Sequence, residues 1–365
     1  MKLTNESGLE AGWALGFQPD GRELLVVAVK GTWSLRNEGG PCELAPDQMP
    51  LVEADEFTGE PGLSSLRYEC DYAHRKSRCD VLLNGTAYAP RGRAARRVRV
   101  SLRVGRWHKA FEVVGDREWK WIPLLGAWPG RPQPFTTMPI SYDNAYGGLD
   151  DTKPNKVKTY LRNPVGRGYR PRARHASGKP LPNTQQLGKA VRSSKGAYQP
   201  MAFGPIGRAW QPRVSHAGTY DQSWIQNDAP FLPHDFDDRY FQSAPEDQQI
   251  PFPAGHEEVV LENLTPEGLI RFKLPRLSMP VLLIPVRGNE AEIDARPDTL
   301  LIEPDANRFC ITWRACHPLR RNAFEIEEVV VGEMPRSWYR ARRGRTKRYY
   351  SNLSDLVAEQ RTAPR

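Results

Sequence analysis

Between Arg97 and Val104 the chain alternates strictly: Val98, Val100, Leu102 and Val104 are interleaved with Arg97, Arg99, Ser101 and Arg103. A period of two places the apolar set on a core face and the guanidinium set in solvent, which is the pattern of a half-buried β-strand. Gly105-Arg106 follows and can turn the chain back into residues 109–114, predicting a hairpin. Upstream, residues 24–29 form a short apolar run rich in β-branched side chains that ends in Gly31-Thr32-Trp33, and residues 80–83 and 85–88 read as two further strands. Regular patterning returns at 258–264 and continues into 269–274 through a Thr265-Pro266-Glu267-Gly268 turn. Strand-like runs follow at 281–286, 299–303, 308–313 and 324–331, with Pro304-Asp305-Ala306-Asn307 joining two of them.

From about residue 119 to 255 neither the helical nor the strand period survives for more than a few residues. Proline and glycine punctuate this stretch, yet it is rich in Trp, Tyr and Phe, whereas ordinary disorder is poor in aromatics. Most of it is therefore expected to form ordered loops fixed by aromatic anchors. Residues 166–198, polar, basic and nearly without large aliphatics, are expected to be its most mobile part. The predicted architecture is mainly β: antiparallel, sandwich-like lobes at residues 1–118 and 256–335, with the long irregular Pro/Gly/aromatic-rich region 119–255 wrapped over them as one unit. A basic tail, 336–365, carries one short predicted helix at 351–360.

Composition adds limits. The 33 prolines and 30 glycines suit a turn-rich β protein better than a helical bundle. The opening MKLTNESGLE has no apolar signal core, and no apolar run approaches the roughly 18 residues of a membrane span. Five cysteines (42, 70, 79, 310 and 316) are too few and too odd for a disulfide framework, so a reducing cytoplasm is the expected location. The net charge of +9 is segregated: residues 153–213 hold fourteen Lys or Arg and no acid, 91–109 hold eight, and 340–348 hold six. Acids gather in 43–71, 221–258 and 298–305. Such fields can steer an acidic partner, or the faces can pair with one another across the fold.

Candidate chemistry is sparse. His234-Asp235-Phe236-Asp237-Asp238 offers hard ligands, but its spacing matches neither a zinc helix motif nor a calcium loop, and its carboxylates read as caps of loop amides. Cys310 and Cys316-His317 lack a second cysteine pair. No Gly-x-Ser-x-Gly elbow, phosphate loop or dinucleotide fingerprint is present. No catalytic, metal or cofactor residue is therefore assigned, and no cofactor is expected. In the irregular block 210–237, Trp210, Tyr220, Trp224 and Phe236 can pin a long loop, with Arg213 and Asp221 as a buried or half-buried pair; the same aromatics and arginine are also the residue types of interface hot spots. Arg167, Arg170, Arg172 and Arg174, beside Tyr169, are candidates for contacting an acidic partner or, less favoured, nucleic-acid phosphates.

One ordered set of short motifs runs along residues 1–335. Gly12-Trp13 precedes Gly21-Arg22-Glu23-Leu24 and Val27-Ala28-Val29-Lys30-Gly31-Thr32. Then come Gly59-Glu60-Pro61, Cys79-Asp80-Val81-Leu82, Gly85-Thr86-Ala87-Tyr88-Ala89-Pro90, Gly115-Asp116-Arg117, Pro134-Phe135, Met138-Pro139, Ala145-Tyr146-Gly147-Gly148, Asn163-Pro164-Val165-Gly166 and Leu181-Pro182-Asn183. The block 210–237 closes the series with Trp-x-Pro-Arg, Ala-Gly-Thr-Tyr-Asp, Trp and Leu-Pro-x-Asp-Phe-Asp. In this order the motifs resemble the bacterial domain-of-unknown-function 2169 family. The chain departs from the family pattern at Tyr72-Ala73-His74-Arg75-Lys76-Ser77, where Lys-Pro is expected near the Asp-Val strand.

Members of that family are typically encoded beside type VI secretion genes. The resemblance implies a cytoplasmic, non-enzymatic chaperone or adaptor that binds a cognate toxic effector and helps load it onto the spike, with the spike tip and cap proteins as further partners. Membrane association is not expected, and nucleic acid is the less favoured partner. Two other classes remain open on the sequence: a hydrolase-type enzyme with its site in the central loops, and a nucleic-acid-binding module using the basic stretches.

Overall fold

The computed structural model describes residues 1–35, 42–124 and 126–343. Three sheets carry the fold. A six-stranded sheet runs, in spatial order, Gln249–Ile250, Cys79–Leu83, Arg296–Glu303, Arg308–Pro318, Glu23–Ser34 and Glu10–Phe17. A five-stranded sheet runs Thr184–Gln185, Trp107–Val114, Arg97–Val104, Glu258–Glu262 and Leu269–Lys273. A smaller one runs Lys2–Asn5, Ile326–Val331, Pro280–Pro285 and Ala291–Asp294. Most neighbours are antiparallel, but Cys79–Leu83 pairs parallel with Arg296–Glu303, and Lys2–Asn5 parallel with Ile326–Val331. Strand content of 39% against 12% helix makes the protein β-rich and sandwich-like.

The hairpin read from the alternation is present, with Arg97–Val104 paired to Trp107–Val114 across Gly105 at φ +55°. Its apolar residues face one large core shared by all three sheets. The six- and five-stranded sheets meet through Phe272 and Phe309, stacked at 4.8 Å, with Trp33 against Phe309 at 5.6 Å. Strands from the two ends of the chain share sheets: Arg97–Val104 pairs with Glu258–Glu262, and Glu23–Ser34 with Arg308–Pro318. The lobes expected at either end are thus woven together by strand pairing.

Glu23–Ser34 is buried along nearly its whole length because both its faces are covered. Leu25, Val27, Val29 and Trp33 enter the shared core, and the alternate positions, including Lys30 and Thr32, lie under the loops that precede Cys79. On the sheet's reverse face Met49, Val52, Tyr68 and Ala244 pack on Leu82, Leu301 and Cys310, while Met201, Phe203, Ile206 and Trp210 enter the shared core.

The central region is made of short pairings, single 3-10 turns and one short helix, Gln222–Asn227, as its broken pattern predicts. Residues 166–198, expected to be mobile, have a fixed place instead. Tyr146 packs against Tyr160, Tyr198 and Tyr169, with ring centroids at 5.1, 4.9 and 6.4 Å. The hydroxyls of Tyr146 and Tyr160 donate to the carbonyls of Gly196 and Tyr198, and the fully buried Trp119 donates from Nε1 to Gly168. Ala176, Leu181 and Val191 are buried with Trp119 and Tyr146 in a small cluster, which these polar contacts to backbone complete. The C-terminal helix Arg336–Arg343 closes the described chain; the helix expected at 351–360 lies outside the described residues.

Candidate functional site

The reverse face of the six-stranded sheet carries a row of polar side chains where a buried sheet normally carries aliphatics. Register places Asp80 beside Thr299, Thr299 beside Thr312, and Thr312 beside Lys30, so one polar row crosses four strands. Loops then bring Glu69, Asp71, Lys76 and Arg213 down on this row, and Arg314 and Asp298 join it from the sheet. Four cations and four carboxylates meet, all nearly inaccessible to solvent.

Each charge is answered. Lys76 Nζ lies 2.7 Å from Asp80 and 3.3 Å from Glu69, and donates to Thr299 and Ser243. Asp80 also accepts from the backbone N–H and hydroxyl of Ser243 and from the Gln242 amide. Arg213 pairs with Glu69 and donates to the carbonyls of Tyr240 (2.7 Å) and Ile206 (2.9 Å). Lys30 pairs with Asp71, while Arg314 pairs with Asp298 and donates to the Asp71 carbonyl at 2.6 Å. Burial alone would raise the Glu69 carboxyl, but Arg213, Lys76 and Arg208 outweigh it and hold Glu69 down at about 2. Burial would likewise lower Lys76, yet Asp80 and Glu69 outweigh it and raise it. The space left among these groups is about 30 Å³, the room of roughly one water and not of a substrate. The network is a clamp fixing loops to a sheet.

Arg213 is therefore not free to meet a partner, and its expected pairing with Asp221 does not occur. Glu69 takes that place, because Asp221 caps the helix Gln222–Asn227 by accepting from the Trp224 amide at 2.9 Å. Trp210 is buried edge-on to Tyr142 at 5.7 Å. Arg167 is half-buried and bonded to the Asp143 carbonyl, Asn144 and Asn183. Arg170 binds the Leu149 carbonyl, and Arg172 binds Asp150 at 3.1 Å and the Lys156 carbonyl. Of these four candidate partner-binding arginines, Arg167, Arg170 and Arg172 are tied into their own loops and Arg174 is exposed.

Tyr220 and Trp224 sit at the surface. Their rings pack edge to face at 4.8 Å, Tyr220 is exposed and Trp224 half-buried, and Trp224 Nε1 donates to the Phe231 carbonyl at 2.9 Å. Asp235 accepts from the Thr219 amide and hydroxyl, and Asp237 from the Arg239 amide, so both cap loop N–H groups. Gly218, at φ +80°, is required here: a Cβ would lie 2.9 Å from Asp235 Oδ1. Phe231 continues the surface to Phe17 at 5.6 Å, on the strand Glu10–Phe17, whose Trp13 and Leu15 are also exposed. The sequence reading missed this strand face. Its signal was the alternation of Ala11, Trp13, Leu15 and Phe17, masked by Gly12 and Gly16.

A separate cleft of about 550 Å³ opens beside Tyr142, with Ile206, Pro212 and Pro245 as walls and Arg162, Glu246 and Asp247 among its polar lining. Burial and the nearby Asp247 raise the Tyr142 phenol, which stays protonated as a donor. Among the described residues no serine, cysteine or histidine lines this cleft. Among the described residues no three His, Cys, Asp or Glu side chains gather as a metal-ligand set, and no helix is long and apolar enough to cross a membrane.

Fold and surface together define a β-rich protein with a locked interior and an aromatic outer face. It belongs to the bacterial family described as "Uncharacterized protein conserved in bacteria (DUF2169)", which it matches over residues 20–314. No curated protein and no solved structure matches the chain. The loop 72–77 supplies Lys76 to the clamp and sets Tyr72 and His74 against Gly12 and Gly16 of the strand Glu10–Phe17.

Proposed function

We propose that this protein is a cytoplasmic accessory protein of type VI secretion that binds a cognate toxic effector and helps load it onto the spike. The observation that carries the reading is the outer face from Trp13 through Phe17 and Phe231 to Tyr220, large apolar side chains left in solvent beside a rigidly clamped interior. Contiguous exposed aromatics of this kind mark surfaces that bind other proteins. Family membership supports the secretion context. The experiment is deletion of the gene in its host. Secretion of one toxic effector should stop while sheath assembly and the release of other effectors continue; unchanged secretion of every effector would remove the proposal.

A further inference from the structure

The outer face has a particular backbone geometry. Glu10–Phe17 is the last strand of the six-stranded sheet, paired on one side only, from Glu10↔Lys30 to Phe17↔Glu23. Among the described residues no other backbone or side chain bonds to its main-chain groups. Since N–H and C=O groups alternate in direction along a strand, about half of them point outward. Edge strands normally carry a charge, a proline or a bulge that discourages pairing. From Ala11 to Phe17 this one has none of them. Trp13, Leu15 and Phe17, on one face, are 36%, 43% and 45% exposed.

The opposite face holds the strand in place. A Cβ on Gly12 would sit 2.2 Å from the Tyr72 hydroxyl, and one on Gly16 would sit 2.1 Å from His74 Nε2, so both glycines are seats for the tips of side chains packed beneath the strand. The edge is thereby pre-formed. At its Phe17 end lies the loop 218–238, which contains five Asp and no Lys or Arg; Arg239 and Arg75 pair with Asp237 and Asp238 at its border, so the loop keeps a net negative charge.

We infer that the outer edge of Glu10–Phe17 receives an extended segment of a partner protein as an additional strand, a segment with apolar residues at alternate positions and basic residues between them. This rests on the protein-binding reading above and specifies its surface. Only an extended backbone can satisfy outward groups at strand spacing, its apolar side chains pack on Trp13, Leu15 and Phe17, and its cations answer the acidic loop. A second copy fits less well: two-fold pairing is antiparallel and sets Glu10 of each chain against the acidic loop of the other.

The probe is a fluorescent ten-residue peptide alternating lysine and valine, with a control carrying proline at every second position. The full chain should bind the first and not the second. W13K/L15K should weaken binding at least tenfold with an unchanged melting temperature, and in the unsubstituted chain saturating peptide should slow hydrogen exchange of amides within 11–17 at least tenfold. Absence of binding, equal binding of the proline control, protection confined to other segments, or a dimer sealed through these amides would overturn the inference. In the host, a deletion strain whose effector secretion is fully restored by W13K/L15K would remove the edge strand from the function and leave the adaptor role standing.

Discussion

Glu69→Gln is the sharpest perturbation of the clamp. The Glu69 carboxylate serves three cations: Oε1 faces Arg213 and, at 3.5 Å, Arg208, while Oε2 faces Lys76 at 3.3 Å. Glutamine keeps the shape and one acceptor but removes the charge, leaving Arg213 with no carboxylate and Lys76 with Asp80 alone. Breaking a buried pair from one side costs about 3–5 kcal/mol. The titration of Glu69 gives an independent figure: holding the carboxyl at about 2 in place of the ordinary 4.5 corresponds to about 3 kcal/mol. The sign follows from the depressed value. The contribution is complete above pH 4.5 and is lost as pH falls through about 2. Urea unfolding at pH 7 should therefore show Glu69→Gln less stable by about 3 kcal/mol, with the gap to the unsubstituted protein narrowing below pH 4.5. A loss under about 1 kcal/mol at pH 7, or a gap indifferent to pH, would refute the clamp.

Trp119→Ala should cost about 3–5 kcal/mol, since its ring is fully buried, whereas Trp224→Ala, on the half-exposed surface, should cost well under half of that; paired urea curves separate the two. Gly16→Val should cost about 1–3 kcal/mol by forcing His74 off the strand, seen as a lower unfolding midpoint with faster exchange of the strand's amides. Asp221→Ala should remove about 1 kcal/mol of local helix stability and loosen Trp224, measurable as a red-shifted tryptophan emission without global unfolding. Cys79 and Cys310, buried and with thiols raised by burial, should react with thiol reagents only on unfolding; fast labelling in the native protein would contradict their placement.

Strands with one wet face were legible because the environment writes a period of two into them, as at Val98–Val104 with its intervening arginines. Glu23–Ser34 was legible only as an apolar run, shorter than the strand itself, because both faces are covered and Lys30 interrupts it. The clamp was not legible. Its row depends on register between Asp80, Thr299, Thr312 and Lys30, which lie far apart in the chain, and nothing local marks Glu69 as the partner of Arg213. The nearby Asp221 was the natural guess, but a cap competes for it. Residues 166–198 misled by composition, since few aliphatics suffice there: Leu181 and Val191 are buried with Trp119 and Tyr146, and tyrosine hydroxyls bonded to backbone carbonyls complete the packing. Glu10–Phe17 was overlooked because Gly12 and Gly16 lower strand propensity, although packing of Tyr72 and His74 requires them.

Effector binding by the outer face is the proposal on which the rest depends. It is tested by co-expression with a candidate toxic effector from the host, followed by purification through the effector and hydrogen exchange on the complex. A complex that persists at physiological salt is expected, with protection centred on residues 10–17 and 220–231. An effector that is soluble and secreted without forming any complex with this chain would contradict it.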